Sequence, residues 1–326
     1  MNQADPALLA LGQEYFGCSP HIANLQGDGS DRVIKRLEAP GQEPVIGVWH
    51  LDLEENESFL LVTEAMARLE LPVPKVLAVA ADRKAYLLED LGPTTLAQQL
   101  TLWDDTGAKA IGAYLQVLGY LPKMQVGLAR LLFRHLETRK MDRTQLLGDL
   151  DYFEAHFVRL FDHQDRYSKE LREELERELI DPVAALPVDR FVYRDFQARN
   201  FMWVGEKIYF LDYQSAMLGN KYYDLASMLY ASRAGLSDKQ RGLLLFHGYQ
   251  KLAGPDETKE QFAANFYRVL LLRRLRSLGS YGYLGQVKGK PGFLESLLPA
   301  INEIQKLLSG PLPQLPLLAG FLGEAG

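Results

Sequence analysis

The spacing of apolar and polar residues divides the chain into a strand-rich first part and a helix-rich remainder. Helical spacing predicts one helix over residues 6–16 and another from about 52 to 69. Short apolar runs bounded by glycine, proline and charged residues predict strands near 24–26, 32–37, 44–50, 75–79 and 85–88. Gly92-Pro93 marks a boundary, after which helical patterns dominate to residue 186. These features predict an α+β fold with a small lobe, 1–90, and a larger, mainly helical lobe, 91–326.

A second change of pattern begins at residue 191. A short apolar strand leads into a charged loop, and two further short strands turn at Gly205-Glu206. Helices resume from about Asp224. The apolar tail at 311–318 is broken by prolines, which predicts an irregular segment on the surface.

Composition narrows the class of protein. The 326 residues carry a net charge of −6, which gives no global reason to expect nucleic acid as a partner. The single cysteine, Cys18, excludes an intrachain disulfide and favours a reducing compartment. Neither a signal peptide nor a run of 18 apolar residues is present, so we expect a cytoplasmic protein with no membrane partner.

Three polar residues stand out around the strands that follow residue 191. Asp195 and Asn200 lie five residues apart in the charged loop, and Asp212 follows the apolar run 208–211. Transfer of a phosphoryl group from ATP needs a carboxylate to accept the proton of the attacking hydroxyl, and oxygen ligands to hold magnesium. The alternative is that all three are ordinary turn or capping residues. The full strand–loop–strand–turn–strand pattern favours phosphoryl transfer.

These motifs resemble a known family. Residues 194–200 (RDFQARN) and 211–214 (LDYQ) resemble the catalytic loop and metal-binding motif of the aminoglycoside and choline phosphotransferase superfamily, which has the protein-kinase-like bilobal fold. Residues 223–227 (YDLAS) and 273–279 (RRLRSLG) resemble more narrowly the bacterial anomeric kinases of N-acetylmuramate and N-acetylglucosamine. The resemblance implies a small N-lobe with an antiparallel sheet, ATP and Mg²⁺ as cofactors, and a small-molecule acceptor, with a sugar preferred.

The resemblance also implies roles for single residues. Asp195 is the expected catalytic base, and Asn200 and Asp212 are the expected magnesium ligands. Asp224 is expected to buttress the catalytic loop, although its position also suits a helix N-cap. The following residues are expected on the acceptor or phosphate side: Arg199, Gln214, Tyr223, Arg273 and Arg276.

The phosphates of the nucleotide need their own contacts. Gly27, Gly29 and Ser30 fit a glycine-rich loop over the phosphates, although a plain hairpin turn fits the same residues. The third strand contains no lysine, so we propose that Arg32 at the start of the second strand supplies the missing cation. Strand alternation places Lys35, the main competitor, on the opposite face.

Two further nucleotide contacts follow from the resemblance. Glu57 or Glu64 on the helix after the third strand would orient the cation, with Glu57 the better match. The segment from Glu89 to Leu91 would form the hinge whose backbone meets adenine.

The sequence indicates the type of reaction more clearly than it indicates the identity of the acceptor and of the nucleotide. A basic, aromatic cluster, formed by Arg273, Arg274, Arg276, Tyr281 and Tyr283, suggests an anionic or sugar-like acceptor, although surface arginines with packed tyrosines fit the same residues. Choline and aminoglycosides would favour acidic groups instead. A pseudokinase that binds nucleotide and regulates a partner is the alternative of another class, because the third strand lacks lysine. ATP versus GTP and the oligomeric state stay open.

Overall fold

The computed structural model describes residues 4–25, 32–103, 107–231, 234–312 and 314–323. Two compact units make up the chain. The first unit comprises residues 1–105 and 198–215, and the second comprises residues 106–197 and 216–326.

The first unit contains a five-stranded antiparallel sheet of order β1-β2-β3-β5-β4. Its strands are β1 (His21–Asn24), β2 (Val33–Glu38), β3 (Val45–Trp49), β4 (Val76–Val79) and β5 (Ala85–Glu89). The helices of this unit are α1 (Ala4–Phe16), α2 (Leu53–Arg68) and α3 (Leu96–Leu102). Both predicted helices of this region and the strands predicted near 32–37, 44–50, 75–79 and 85–88 are confirmed. The first strand, predicted at 24–26, lies earlier, at His21–Asn24, and shares only Asn24 with the prediction.

Helix α1 covers one face of this sheet. Leu8 and Leu37 are fully buried there. Gly47 of β3 permits the close approach, because a Cβ atom at that position would lie 2.8 Å from Leu37 Cδ1 and 3.0 Å from Leu8 Cδ2. Alternation along β2 places Lys35, which contacts Asp5, on the side of α1 and places Arg36 on the opposite face of the sheet.

Two short antiparallel strand pairs follow the long helical region. Strands β6 (Arg190–Val192) and β9 (Met217–Gly219) pair in the second unit, and β7 (Phe201–Val204) pairs with β8 (Lys207–Phe210) in the first. The turn between β7 and β8 has positive φ angles at Gly205 and Glu206, 51° and 67°, as a tight two-residue hairpin requires. This turn was predicted, whereas β9 was missed because three residues are too few to show a period.

The second unit is mainly helical, in agreement with the predicted α+β class. Its helices are α4 (Ala108–Leu131), α5 (Phe133–Leu136), α6 (Arg143–Phe153), α7 (Lys169–Leu175), α8 (Asp181–Ala184), α9 (Tyr223–Tyr230), α10 (Asp238–Leu252), α11 (Lys259–Gly282), α12 (Leu297–Ser309) and α13 (Pro316–Gly323). Short π-helical turns extend α6, α7 and α11 over Glu154–Val158, Glu176–Ile180 and Tyr283–Val287.

The prediction of an irregular surface tail is wrong. Residues 316–323 form α13, and Leu315 and Leu318 are buried. The buried carboxylate of Glu174 accepts hydrogen bonds of 3.0 Å from the backbone N–H groups of Leu317 and Leu318, at the start of this helix. Pro316 begins the helix without disturbing it, because the first turn has no need of its N–H.

No helix in the described part of the chain is long and apolar enough to cross a membrane. The predicted division into a nucleotide-binding lobe, 1–90, and a catalytic lobe, 91–326, stays a prediction. The two compact units do not show which residues bind the nucleotide.

Candidate active site

The loop that carries Asp195 lies in the second unit, directly after β6. Two backbone N–H groups of this loop, those of Tyr193 and Arg194, donate to the two carboxylate oxygens of Asp224 at 2.8 and 3.1 Å. The hydroxyl of Ser227 donates to the Arg194 carbonyl at 3.2 Å. Arg194 has a φ of 75°, a left-handed conformation that costs energy in a residue with a Cβ. The contacts from α9 hold the loop in this conformation.

Asp224 therefore supports the loop that carries Asp195, as was predicted. It lies in the first turn of α9, where the helix dipole favours a carboxylate, and Tyr222 takes the N-cap position. Its side chain is completely buried, and burial raises the pKa of its carboxyl group to about 7. The two N–H donors and the charge of Arg273 act in the opposite direction on that pKa, while the charge of Asp195 adds to the rise.

Asp195 itself is half-buried in the same loop. The amide of Gln197 donates to its Oδ1 at 3.4 Å. A positioned carboxylate of this kind, held by a fixed loop, suits a group that accepts a proton from a bound hydroxyl.

The β7–β8 hairpin brings Asn200 and Asp212 to one end of the first unit. Phe201 pairs with Phe210, so the residues that flank this pair lie opposite each other. The N–H of Leu211 donates to the Asn200 carbonyl at 3.0 Å. Two residues twelve positions apart in sequence therefore become neighbours through the register of a single hairpin.

Two side chains donate hydrogen bonds to Asp212, the second predicted metal ligand. Its Oδ1 accepts from Arg32 Nη2 at 2.5 Å and from the Gln214 amide at 2.9 Å. Its φ of 69° is left-handed. The next residue, Tyr213, is buried and its hydroxyl lies 2.7 Å from that of Thr63 on α2, which anchors the strained turn.

Arg32 lies between two carboxylates in the first unit. Besides its contact with Asp212, its Nε is 3.5 Å from Glu55 Oε1, and only 10% of its side chain is exposed. Burial lowers the pKa of Arg32, but Asp212 and Glu55 outweigh that effect and the pKa is raised. Arg32 is thus a permanent cation fixed beside a predicted metal ligand.

The acidic partner on α2 was predicted wrongly. Glu57 pairs instead with Arg83 at the surface, with Arg83 Nη2 2.6 Å from Glu57 Oε2. Glu64 pairs with Arg68 one helical turn away. Residues two apart on a helix point about 200° apart, so Glu55 and Glu57 cannot serve the same cation. Sequence spacing showed several candidate glutamates, but only the packing of α2 selects Glu55.

Lys35 faces the other side of β2, as alternation predicted. Its Nζ donates to Asn24 at 2.5 Å and lies 3.3 Å from Asp5 of α1. Arg36, on the same side as Arg32, forms a bidentate contact with Asp90, at 2.6 and 3.2 Å.

The predicted hinge segment follows β5 directly. The backbone N–H of Glu89 donates to the Lys75 carbonyl at 2.9 Å, and its carboxylate accepts from the Lys75 N–H at 3.2 Å. Asp90 accepts from the N–H of Gly92 at 2.8 Å, and Leu91 between them is half-buried. A contact of this segment with adenine stays a prediction. Gly27, Gly29 and Ser30 lie outside the described residues.

The predicted acceptor residues lie on different elements. Tyr223 is on α9, Arg273 and Arg276 are on α11, and Arg199 and Gln214 flank the β7–β8 hairpin. Arg273 lies over the ring of Tyr223, 5.4 Å from its centroid, and Arg276 pairs with Asp149 at 2.7 Å. Gln214 is buried beside Asp212. Arg199 is exposed at the surface of the loop. Asp149 is a partner that sequence reasoning missed, because 127 residues separate it from Arg276.

Asn200 and Asp212 suit a magnesium ion by their chemistry. Both offer hard oxygen ligands, and magnesium is commonly held by one or two protein oxygens together with water and substrate phosphates. Within the described ranges, no group of three His, Cys, Asp or Glu side chains could hold a metal ion. A metal at this place would therefore depend on these two residues and on the nucleotide.

Comparison with known proteins begins with the sequence. A profile described as the phosphotransferase enzyme family, APH, matches residues 21–260. An N-acetylmuramate/N-acetylglucosamine kinase of Neisseria meningitidis serogroup B is 31% identical over 160 residues, which cover 48% of this chain and 46% of that relative. The chain thus matches less than half of the length of this curated relative.

Solved structures share the fold at low sequence identity. A choline/ethanolamine kinase family protein from Mesorhizobium loti has a TM-score of 0.59 at 13% identity, covering 97% of this chain and 98% of the other. The amicoumacin kinase hAmiN, solved with AMP-PNP, Ca²⁺ and Ami, has a TM-score of 0.55 at 14% identity, covering 87% and 90%. At such identities the likeness shows the fold alone.

Proposed function

The chain belongs to the phosphotransferase enzyme family, and from this membership we propose that it transfers the γ-phosphate of ATP to a hydroxyl group of a small molecule. The membership confirms the resemblance that the motifs predicted, and with it the kinase-like fold. The activity, its acceptor and the roles of single residues are the proposal.

One observation carries the proposal. The β7–β8 hairpin holds Asn200 and Asp212 at the same end, and Asp212 contacts a buried arginine, Arg32. Asn200 is buried and only 10% of the Arg32 side chain is exposed, and a tight turn by itself needs neither a buried carboxamide nor a buried guanidinium beside its carboxylate. These three groups are those that a metal-bound triphosphate requires.

Each group has a defined task in the reaction. Asp195 accepts the proton of the acceptor hydroxyl as that oxygen forms its bond to the γ-phosphorus, and the bond from phosphorus to the β-bridging oxygen breaks to release ADP. Asn200 and Asp212 would hold magnesium, which neutralises the phosphates when bound. Asp224 keeps the backbone of the Asp195 loop in place.

Arg32 supplies the cation that the third strand lacks. We assign it to the phosphates because its partner is a predicted metal ligand, whereas Lys35 is engaged with Asn24 and Asp5. Gly27, Gly29 and Ser30 would cover the phosphates, and the segment from Glu89 to Leu91 would meet the adenine.

An N-acetylated amino sugar is the proposed acceptor. The support is the name of the relative from Neisseria meningitidis, which acts on N-acetylmuramate and N-acetylglucosamine. The arginines of α11, Arg273 and Arg276, suit an acceptor with hydroxyl or anionic groups better than a cationic one. Choline, ethanolamine and aminoglycosides are therefore the second choice, although the fold is shared with kinases of that kind.

The direct test is release of ADP from ATP and Mg²⁺ with a panel of acceptors. The panel contains N-acetylmuramate, N-acetylglucosamine, glucose, choline and kanamycin. We expect turnover with the two N-acetylated sugars and little with choline or kanamycin. Turnover with choline alone would contradict the proposed acceptor. Tight nucleotide binding without turnover of any acceptor would instead support a regulatory pseudokinase.

Replacing the proposed base isolates its role. Asp195→Asn should lower kcat by at least about 100-fold, because general-base catalysis contributes roughly 100- to 10,000-fold, while ATP affinity changes little. Asp189→Asn is the matched control, since Asp189 is exposed and its side chain pairs with the neighbouring Arg190. Kinetics and equilibrium binding of ATP separate the two effects. Normal turnover in Asp195→Asn would exclude Asp195 as the base.

A further inference from the structure

Three arginines close together on α11, Arg273, Arg274 and Arg276, have different surroundings. Arg273 and Arg276 are three residues apart and so share one face of the helix. Arg274 points elsewhere: it is almost completely buried, donates to the Tyr230 carbonyl and pairs with Glu303. The basic cluster is therefore reduced to Arg273 and Arg276, and Arg273 lies over the ring of Tyr223 of α9.

Arg276 has a carboxylate partner, and Arg273 has none among the described residues. Arg276 forms an ion pair with Asp149, with Nε 2.7 Å from Oδ1, and its guanidinium lies 5.3 Å from the ring centroid of Tyr152. The Arg273 side chain has neither an ion pair nor a hydrogen bond with any described residue, and its Nε is buried. Among the described residues, Arg273 therefore has no carboxylate as a direct partner.

The described groups nearest to Arg273 offer it no free carboxylate oxygen. Its guanidinium lies over the ring of Tyr223, which offers a π face. The carboxylate of Asp224 attracts it electrostatically, but both oxygens of that carboxylate already accept backbone N–H groups of the catalytic loop. A partly buried guanidinium with unused donors is costly, and an incoming anion with two oxygens removes the cost.

The position of Arg273 relates it to the proposed base. Arg273 lies over Tyr223, the residue before Asp224, and the Asp224 carboxylate holds the backbone of the loop that carries Asp195. All of these residues belong to the second unit. We propose that Arg273 binds a carboxylate carried by the acceptor, and that it makes this protein selective for anionic over neutral acceptors. The inference rests on the proposed function, since it assumes that the acceptor hydroxyl meets Asp195.

A matched set of acceptors tests the charge alone. N-acetylmuramate carries a carboxylate, its methyl ester removes the charge with little change of shape, and N-acetylglucosamine lacks the whole substituent. Wild type should have the highest kcat/KM for N-acetylmuramate. Arg273→Gln should lower this value by about 10- to 100-fold, mainly through KM, since a hydrogen bond to a charged group is of that strength. The ester and N-acetylglucosamine should change by less than about threefold.

Two further variants control for structure. Arg273→Lys keeps the charge and should recover part of the loss, although it cannot bind a carboxylate through two donors. Arg268→Gln removes a charge from the same helix, five residues away and about 140° around its axis, and should leave all three acceptors unchanged. Thermal unfolding of each variant shows whether it is folded. If Arg273→Gln does not fold, Arg273→Lys and the wild-type comparison of acid and ester carry the test.

The outcomes separate this inference from the proposed function. An equal loss for acid, ester and N-acetylglucosamine in Arg273→Gln would overturn the inference, as would a wild type that prefers the ester. If no acceptor is phosphorylated, the proposed function fails. Calorimetric binding of the acid and the ester to wild type and Arg273→Gln then decides about Arg273. Tighter binding of the acid, lost in Arg273→Gln, supports the inference, and equal binding of both contradicts it.

Discussion

At the scale of single residues, Asp224 shows how a buried carboxyl group can support a site without reacting. Its two oxygens hold the backbone of the Asp195 loop, and the same burial raises its pKa to about 7. In the unfolded chain the pKa of an aspartate is about 3.9. Between these two values the folded protein holds a proton that the unfolded chain has released.

The stability of the protein should therefore depend on pH through Asp224. Because the folded state binds more protons in this window, the contribution of Asp224 is fully present below about pH 4 and is lost as pH rises to about 7. The slope is at most roughly 1.4 kcal/mol per pH unit. Relative to Asp224→Asn, wild type should lose stability from pH 5 to 7 and show no further change above about pH 8.

Urea unfolding at several pH values measures this difference. Asp224→Asn should itself be less stable by about 1–3 kcal/mol, because its amide nitrogen cannot accept a backbone N–H. Asp189→Asn, at an exposed position, should show a difference from wild type that does not vary over the same range. A wild type that gains stability relative to Asp224→Asn as pH rises would mean that the pKa is lowered by folding.

At the scale of elements, strand β2 separates two cations by its alternation. Arg32 lies beside Asp212 and Glu55, whereas Lys35 contacts Asn24 and Asp5 on the side of α1. The strand period of two makes this separation a property of the backbone. Arg32, the proposed replacement for the missing lysine of β3, and Lys35, its competitor, are therefore separated by the backbone itself.

Substitution of both residues tests which cation serves ATP. Arg32→Ala should raise the KM for ATP by about 10- to 100-fold, because it removes charged hydrogen bonds to the phosphates. Lys35→Ala should change that KM by less than about threefold and is the matched control. Steady-state kinetics at saturating acceptor measures both. A larger effect of Lys35→Ala would make Lys35 the phosphate ligand.

At the scale of the whole molecule, nucleotide and metal should stabilise the folded protein together. A ligand that binds only the folded state at 100 times its Kd stabilises that state by about 2.7 kcal/mol. We expect AMP-PNP with Mg²⁺ to raise Tm by several degrees more than AMP-PNP with EDTA. Asp212→Asn should lose the part that depends on Mg²⁺, and Asp195→Asn should keep it.

Scanning calorimetry of wild type, Asp212→Asn and Asp195→Asn, each with AMP-PNP and either Mg²⁺ or EDTA, measures these changes in Tm. An increase in Tm that Asp212→Asn retains in full would remove Asp212 from the metal site. An increase that is equal with Mg²⁺ and with EDTA would show that the nucleotide binds without a metal ion.

The sequence by itself determined the strand and helix pattern of the first part and the motifs that contain Asp195, Asn200 and Asp212. It also determined that Arg32 and Lys35 face opposite sides of a strand. These properties depend on neighbours within about ten residues, because strand and helix periods and tight turns are local.

Only the tertiary structure decided which distant groups meet. It chose Glu55 over Glu57 as the partner of Arg32, and gave Asp149 to Arg276 while Arg273 keeps no carboxylate partner among the described residues. It also turned a proline-broken tail into helix α13, with its first N–H groups on a glutamate far away in the chain. Such contacts depend on the rotation and packing of whole helices, and no local period of the sequence contains that information.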